Sequence, residues 1–102
     1  MREGAYSRLD FIKIDVEGHE HNVLLGARES IERYRPYIVF EYIEENWEKA
    51  GSDFQLTRSL LENLNYSLFV IGNGWLSKIE YGVPKWSNIL AIPHHNEPKG
   101  RL

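Results

Sequence analysis

The sequence predicts half of a doubly wound α/β domain, on three observations. Short apolar runs rich in β-branched residues alternate with stretches of helical periodicity, which implies right-handed crossovers and a parallel sheet. The first two runs, residues 11–16 and 37–42, carry a carboxylate near their ends, Asp15 and Glu41. The last two runs follow one another without a helix between them, which implies an antiparallel end. The expected order is β-α-β-α-β-β, a mostly parallel sheet with an antiparallel last strand.

Each element has its own signal. Residues 11–16, Phe-Ile-Lys-Ile-Asp-Val, read as a strand covered on both faces. Lys13 and Asp15 project from one face and can pair. Gly18 ends the strand and lets the backbone turn. A helix follows over residues 19–34, where Leu24, Ala27 and Ile31 recur at helical spacing with Val23 beside them. Gly26 weakens it by ~1 kcal/mol relative to alanine and marks a kink or a close helix–sheet contact. Arg33, Arg35 and Pro36 supply the stop. Residues 37–42 are the second strand, and residues 43–51 an acidic loop with Glu44, Glu45 and Glu48.

Ser52 and Gln55 have the spacing of a capping box. Behind them Leu56, Leu60, Leu61 and Leu64, with Thr57, form the stripe of a second helix, closed by Asn63 or Asn65. Residues 66–71 are the third strand. Gly72-Asn73-Gly74 is a turn signal, and residues 75–81 a short hairpin arm. Residues 87–92 are the fourth strand, stopped by Pro93. The domain therefore spans residues 11–93, with a lead-in over 1–10 and a tail over 94–102.

Composition excludes several classes. A net charge of −3 gives no basic footprint for nucleic acid and no polybasic signal for an anionic membrane. The longest apolar runs are far short of the ~20 residues of a membrane span, and the N-terminus has no apolar signal core. Without cysteine there is no disulfide framework, thiolate zinc site or cysteine nucleophile, which fits a reducing, cytoplasmic setting.

Ile12-Lys13-Ile14-Asp15-Val16-Glu17-Gly18-His19-Glu20, then Val23-Leu24-Leu25-Gly26-Ala27, then Pro36-Tyr37-Ile38-Val39-Phe40-Glu41, resemble the FkbM-type S-adenosylmethionine-dependent methyltransferases. Asn88-Ile89-Leu90-Ala91-Ile92-Pro93 resembles that family's final strand. The resemblance implies a Rossmann-like fold with S-adenosylmethionine as cofactor, and O-methyl transfer to a small molecule or sugar. It aligns residues 11–93 with the C-terminal half of the family's seven-stranded sheet. The Gly-rich loop after the family's first strand, which holds the cofactor, has no counterpart in these residues. The resemblance thus implies a truncated half, inactive alone, completed by a complementing N-terminal half or paired as a homodimer through the strand edge from Phe11 to Val16.

Ligands of open α/β sheets sit beyond the carboxyl ends of the strands. Asp15 and Glu41 are accordingly the candidate catalytic residues, Asp15 as base or substrate contact and Glu41 for positioning. Glu17, Gly18, His19 and Glu20 form the candidate substrate-binding rim. Structural roles compete: Asp15 pairs with Lys13, Glu17 favours the following helix N-terminus, Glu41 pairs with an arginine, and His19 is an exposed first-turn residue. His19 and His21 are two apart, on different helix faces, and His94-His95 has no ligand cluster nearby, so no metal site is expected. A rival chemistry places Mg²⁺ on Asp15, Glu17 and Glu41 for phosphoryl transfer; another reading is a non-catalytic oligomeric or binding half-domain. Trp47, Trp75 and Trp86 either line a cleft or pack on the sheet edge.

Overall fold

A computed structural model describes residues 11–15, 18–80 and 82–94. The elements are β1 (Phe11–Ile14), α1 (Glu20–Gly26), α2 (Arg28–Tyr34), β2 (Tyr37–Ile43), α3 (Glu44–Lys49), α4 (Phe54–Asn63), β3 (Tyr66–Ile71), β4 (Leu76–Lys78) and β5 (Trp86–Pro93). The strands form one mixed α/β sheet in the order β1-β2-β5-β3-β4.

The sheet corrects the expected topology. Only β1·β2 is parallel; β2·β5, β3·β5 and β3·β4 are antiparallel. The last strand does not sit at an edge. It inserts between β2 and β3, takes ladder hydrogen bonds on both sides, and so replaces a parallel β2·β3 pairing with two antiparallel ones. β1, β2 and β3 still run in one direction. The hairpin arm contributes β4, which makes the sheet five-stranded.

The helices bury their apolar stripes against one face of this sheet. Ile14, Ile38, Phe40, Ile89, Ala91 and Leu68 share a single core cluster with Leu24, Ile31, Trp47, Phe54 and Leu61 of the helices. Alternate residues of the strands face the other way, among them Phe11, 58% exposed, Lys13 and Asp15. The first strand is therefore covered on one face, not both.

The expected single helix over residues 19–34 is two. Ala27 leaves helical geometry at φ −98°, ψ 10°, ending α1 and starting α2. The hydrogen bonds continue through the break, Ala27 N–H to Val23 O and Ile31 N–H to Ala27 O, each at 3.0 Å. A Cβ on Gly26 would meet nothing within 4 Å, so there is no close contact at Gly26, and the break falls at the next residue.

The segment expected as an acidic loop forms α3. Its anchor is Trp47, buried against Phe40, Tyr42 and Phe54. α4 begins one residue later than the Ser52/Gln55 pattern implied. Its N-cap is Asp53, whose Oδ1 accepts from Gln55 N–H at 2.9 Å. Ser52 Oγ instead donates to Gly18 O at 2.8 Å. At the far end Asn65 takes the left-handed conformation at φ 66°, as expected of a residue just past a helix. Arg35 closes the same corner: its guanidinium donates to Leu64 O and Asn65 O, and it lies 4.7 Å from the Tyr66 ring centroid.

Candidate active site

The register of β1 and β2 builds the site. Ile14 is opposite Phe40, so Asp15, one residue on, falls level with Glu41. Glu41 faces Asn88 across β2·β5. Strand alternation sets Lys13, Asp15, Val39, Glu41 and Asn88 on the face away from the helices. With Ile14 and Phe40 they line a cavity of about 70 Å³ at the carboxyl ends of the two parallel strands. The structure thus brings the two expected carboxylates to one notch, and adds Lys13 and Asn88. Asn88 carried a usable signal: it is a polar residue at an outward position, followed by the apolar run Ile89 to Ile92.

The turn after β1 is pinned from inside. Gly18 has φ 103°, and a Cβ there would lie 2.4 Å from Asn46 O. Its N–H donates to Glu20 Oε1 at 2.8 Å, and its carbonyl accepts from Ser52 Oγ. Glu20 is 1% exposed, so Gly18 and Glu20 shape the rim from beneath. His19 is exposed and borders a cavity of about 360 Å³ with Asn46, Lys49 and Ala50. Glu17 lies outside the described residues. His21 Nδ1 and Thr57 Oγ1 are 2.7 Å apart, joining α1 to α4.

The Glu41 end of β2 is braced by aromatic packing. Trp47 Nε1–H donates to Glu41 O at 3.2 Å. The Tyr42 ring meets Trp47 edge-on at 5.1 Å and Phe54 at 5.0 Å. Burial, then the nearby Glu44, Glu48 and Asp53 carboxylates, push the Tyr42 phenol above its ordinary value. The phenol therefore stays neutral at physiological pH.

Among the described residues no group of three or more His, Cys, Asp or Glu is placed to hold a metal ion. No helix among them is long and apolar enough to cross a membrane. Nor does the notch fit a whole S-adenosylmethionine. A cavity of about 70 Å³ admits a functional group, well below the ~300 Å³ at which ligand pockets begin. The glycine of the strand–helix turn, Gly18, has its N–H engaged by Glu20 and cannot offer it to a cofactor.

The family model described as the methyltransferase FkbM domain matches residues 1–68 of the 102. That stretch runs through β1, both helix pairs and into β3. It holds Asp15 and Glu41, whereas Asn88 and the final-strand resemblance lie beyond it. No curated protein and no solved structure matches the chain.

Proposed function

The chain belongs to the FkbM methyltransferase family, and from that premise we propose that its notch is the acceptor side of a methyl-transfer site. The donor is S-adenosylmethionine and the acceptor a hydroxyl of a small molecule or sugar. The observation that carries this reading is the convergence of Asp15, Glu41 and Asn88 on one notch at the carboxyl ends of β1 and β2. Methyl transfer to oxygen is a displacement at carbon, for which a protein supplies position and a base. Asp15 takes the proton of the reacting hydroxyl. Glu41 and Asn88 hold a neighbouring polar group of the acceptor, with His19 on the rim.

S-adenosylmethionine supplies the methyl group when bound, and its binding falls to residues other than these, since the notch is too small for it. Turnover accordingly requires a Gly-rich strand–helix unit, which another segment or another chain brings to the side of β1 that has no strand beside it among the described residues. The setting is cytoplasmic. Transfer of a labelled methyl group to hydroxyl acceptors tests the reading. The protein is assayed alone and mixed with the glycine-loop half of an FkbM domain. Turnover should appear only in the mixture, and Asp15→Asn should lower kcat more than it raises KM. Full activity of the Asp15→Asn/Glu41→Gln double variant overturns it.

A further inference from the structure

A second cavity lies one step further along the same sheet face. Ile43 and Trp86 are register partners two residues beyond Glu41 and Asn88. They therefore share the open face with that pair, about 7 Å away along the strands at ~3.3–3.4 Å per residue. Ile43, Trp86, Glu44, Glu45, Glu48 and Lys85 line an open hollow of about 320 Å³, within the range of small-ligand pockets. The walls are tied together by Glu44 N–H donating to Lys85 O at 2.8 Å. Trp86 is 73% exposed, whereas Trp47 in the core is 1% exposed. Its indole is thus a large apolar face bordering a polar pocket.

We propose that Trp86 is the stacking platform of an outer acceptor subsite that takes a neutral, hydroxyl-bearing ring and aims one hydroxyl at the Asp15–Glu41 notch. The binding part stands on this cavity alone; only the identity of the reacting hydroxyl rests on the methyl-transfer reading. The polar lining selects the ligand class. Three carboxylates, Glu44, Glu45 and Glu48, and one ammonium, Lys85, line the hollow; Glu44 faces Lys85 at 4.0 Å and Glu45 faces Lys49, outside the lining, at 3.4 Å, so the lining is rich in acceptors for hydroxyl protons. Carboxylate acceptors and an ammonium donor around one aromatic face suit hydroxyls, which both give and take hydrogen bonds. The indole covers the apolar face of the ring, and Glu48 accepts from its edge.

The test is a titration followed through the three tryptophan indole N–H resonances of the whole protein. The probes are methyl glucopyranoside, as a neutral ring, and tetramethylammonium chloride, as a cation. The Trp86 resonance, identified from its loss in Trp86→Phe, should shift saturably with the glycoside and not with the ammonium salt. Trp86→Ala should weaken glycoside binding at least tenfold, read on the Ser87 and Asn88 backbone resonances. Trp86→Tyr should retain most of it, and Glu48→Gln should weaken it severalfold. A shift with tetramethylammonium only, no saturable shift with the glycoside, or full glycoside binding by Trp86→Ala overturns the proposal. Glycoside binding without methyl transfer in the reconstituted assay would sink the catalytic reading and leave the subsite standing.

Discussion

Ser52 and Asp53 are neighbours with separate tasks, and substitution should separate them. Asp53→Ala removes the acceptor for Gln55 N–H and should lower stability by ~1 kcal/mol, the usual loss for an N-cap. Ser52→Ala removes the bond to Gly18 O, and its effect should appear in the turn after β1 and not in α4. Amide exchange in the first turn of α4 checks both: faster in Asp53→Ala, unchanged in Ser52→Ala. The sequence pattern chose the wrong one of two adjacent caps because Ser and Asp cap equally well, and nothing local reveals that Gly18 claims the serine.

Tyr66 makes a pH prediction at the same scale. Its phenol donates to Pro36 O at 2.6 Å, and burial pushes its pKa up to about 12, with the Arg35 guanidinium pulling the other way. The ordinary value is 10.0, so the fold favours the neutral phenol. A raised acid contributes stability that is whole below its unfolded pKa and lost as pH rises through its folded one. Stability should therefore fall between pH 10 and about 12, by on the order of 2 kcal/mol from this group. Tyr66→Phe should be less stable at neutral pH by ~1 kcal/mol or more, for Pro36 O is left unpaired, and flatter across the alkaline window. Parallel denaturation profiles for the two proteins would show that Tyr66 is not the group responsible.

At the scale of elements, short helices were hidden and long strands were plain. The third strand, residues 66–71, has the expected bounds, and the second gains only Ile43. Their length and their β-branched and aromatic content, between turn residues, decide for strand over buried helix. α3 spans six residues, of which four are Glu or Lys, too short for helical periodicity to register. What makes it a helix is tertiary, the burial of Trp47 against β2 and Phe54. Gly18 belongs to this scale because it is the contact between the β1 turn and α3. Gly18→Ala combines a left-handed φ with a Cβ placed 2.4 Å from Asn46 O. It should destabilise by ~1–3 kcal/mol for the backbone strain, and more where α3 must shift. Because α3 braces the Glu41 end of β2, Gly18→Ala should also perturb the Glu41 backbone resonance. An unperturbed Glu41 with lowered stability would confine the effect to the turn.

At the scale of the molecule, the order of pairing was the part that sequence could not carry. Local pattern says that residues 87–92 form a strand, observed as Trp86–Pro93; it does not say that the strand enters between β2 and β3, because that choice is made by contacts distant in sequence. The same non-local choice brings Asn88 beside Glu41. It leaves β1 at one end of the sheet, hydrogen-bonded to β2 on one side with no further strand beside it among the described residues. Such an edge is a template for pairing. Phe11 adds an apolar side chain, 58% exposed on the open face, and among the described residues Lys13 and Asp15 are the charges that blunt the strand. The expected outcome is association through β1, either with a second copy around a two-fold axis or with a complementing half of an FkbM domain. Light scattering across a range of concentrations should show a monomer–dimer equilibrium. Phe11→Lys, which places a charge on the edge without touching the core, should shift it towards monomer. Addition of the glycine-loop half should displace the dimer, because both use one edge. A dimer indifferent to Phe11→Lys and to the added half would place the contact elsewhere on the molecule, and a monomer at every concentration would mean that the β1 edge is already covered.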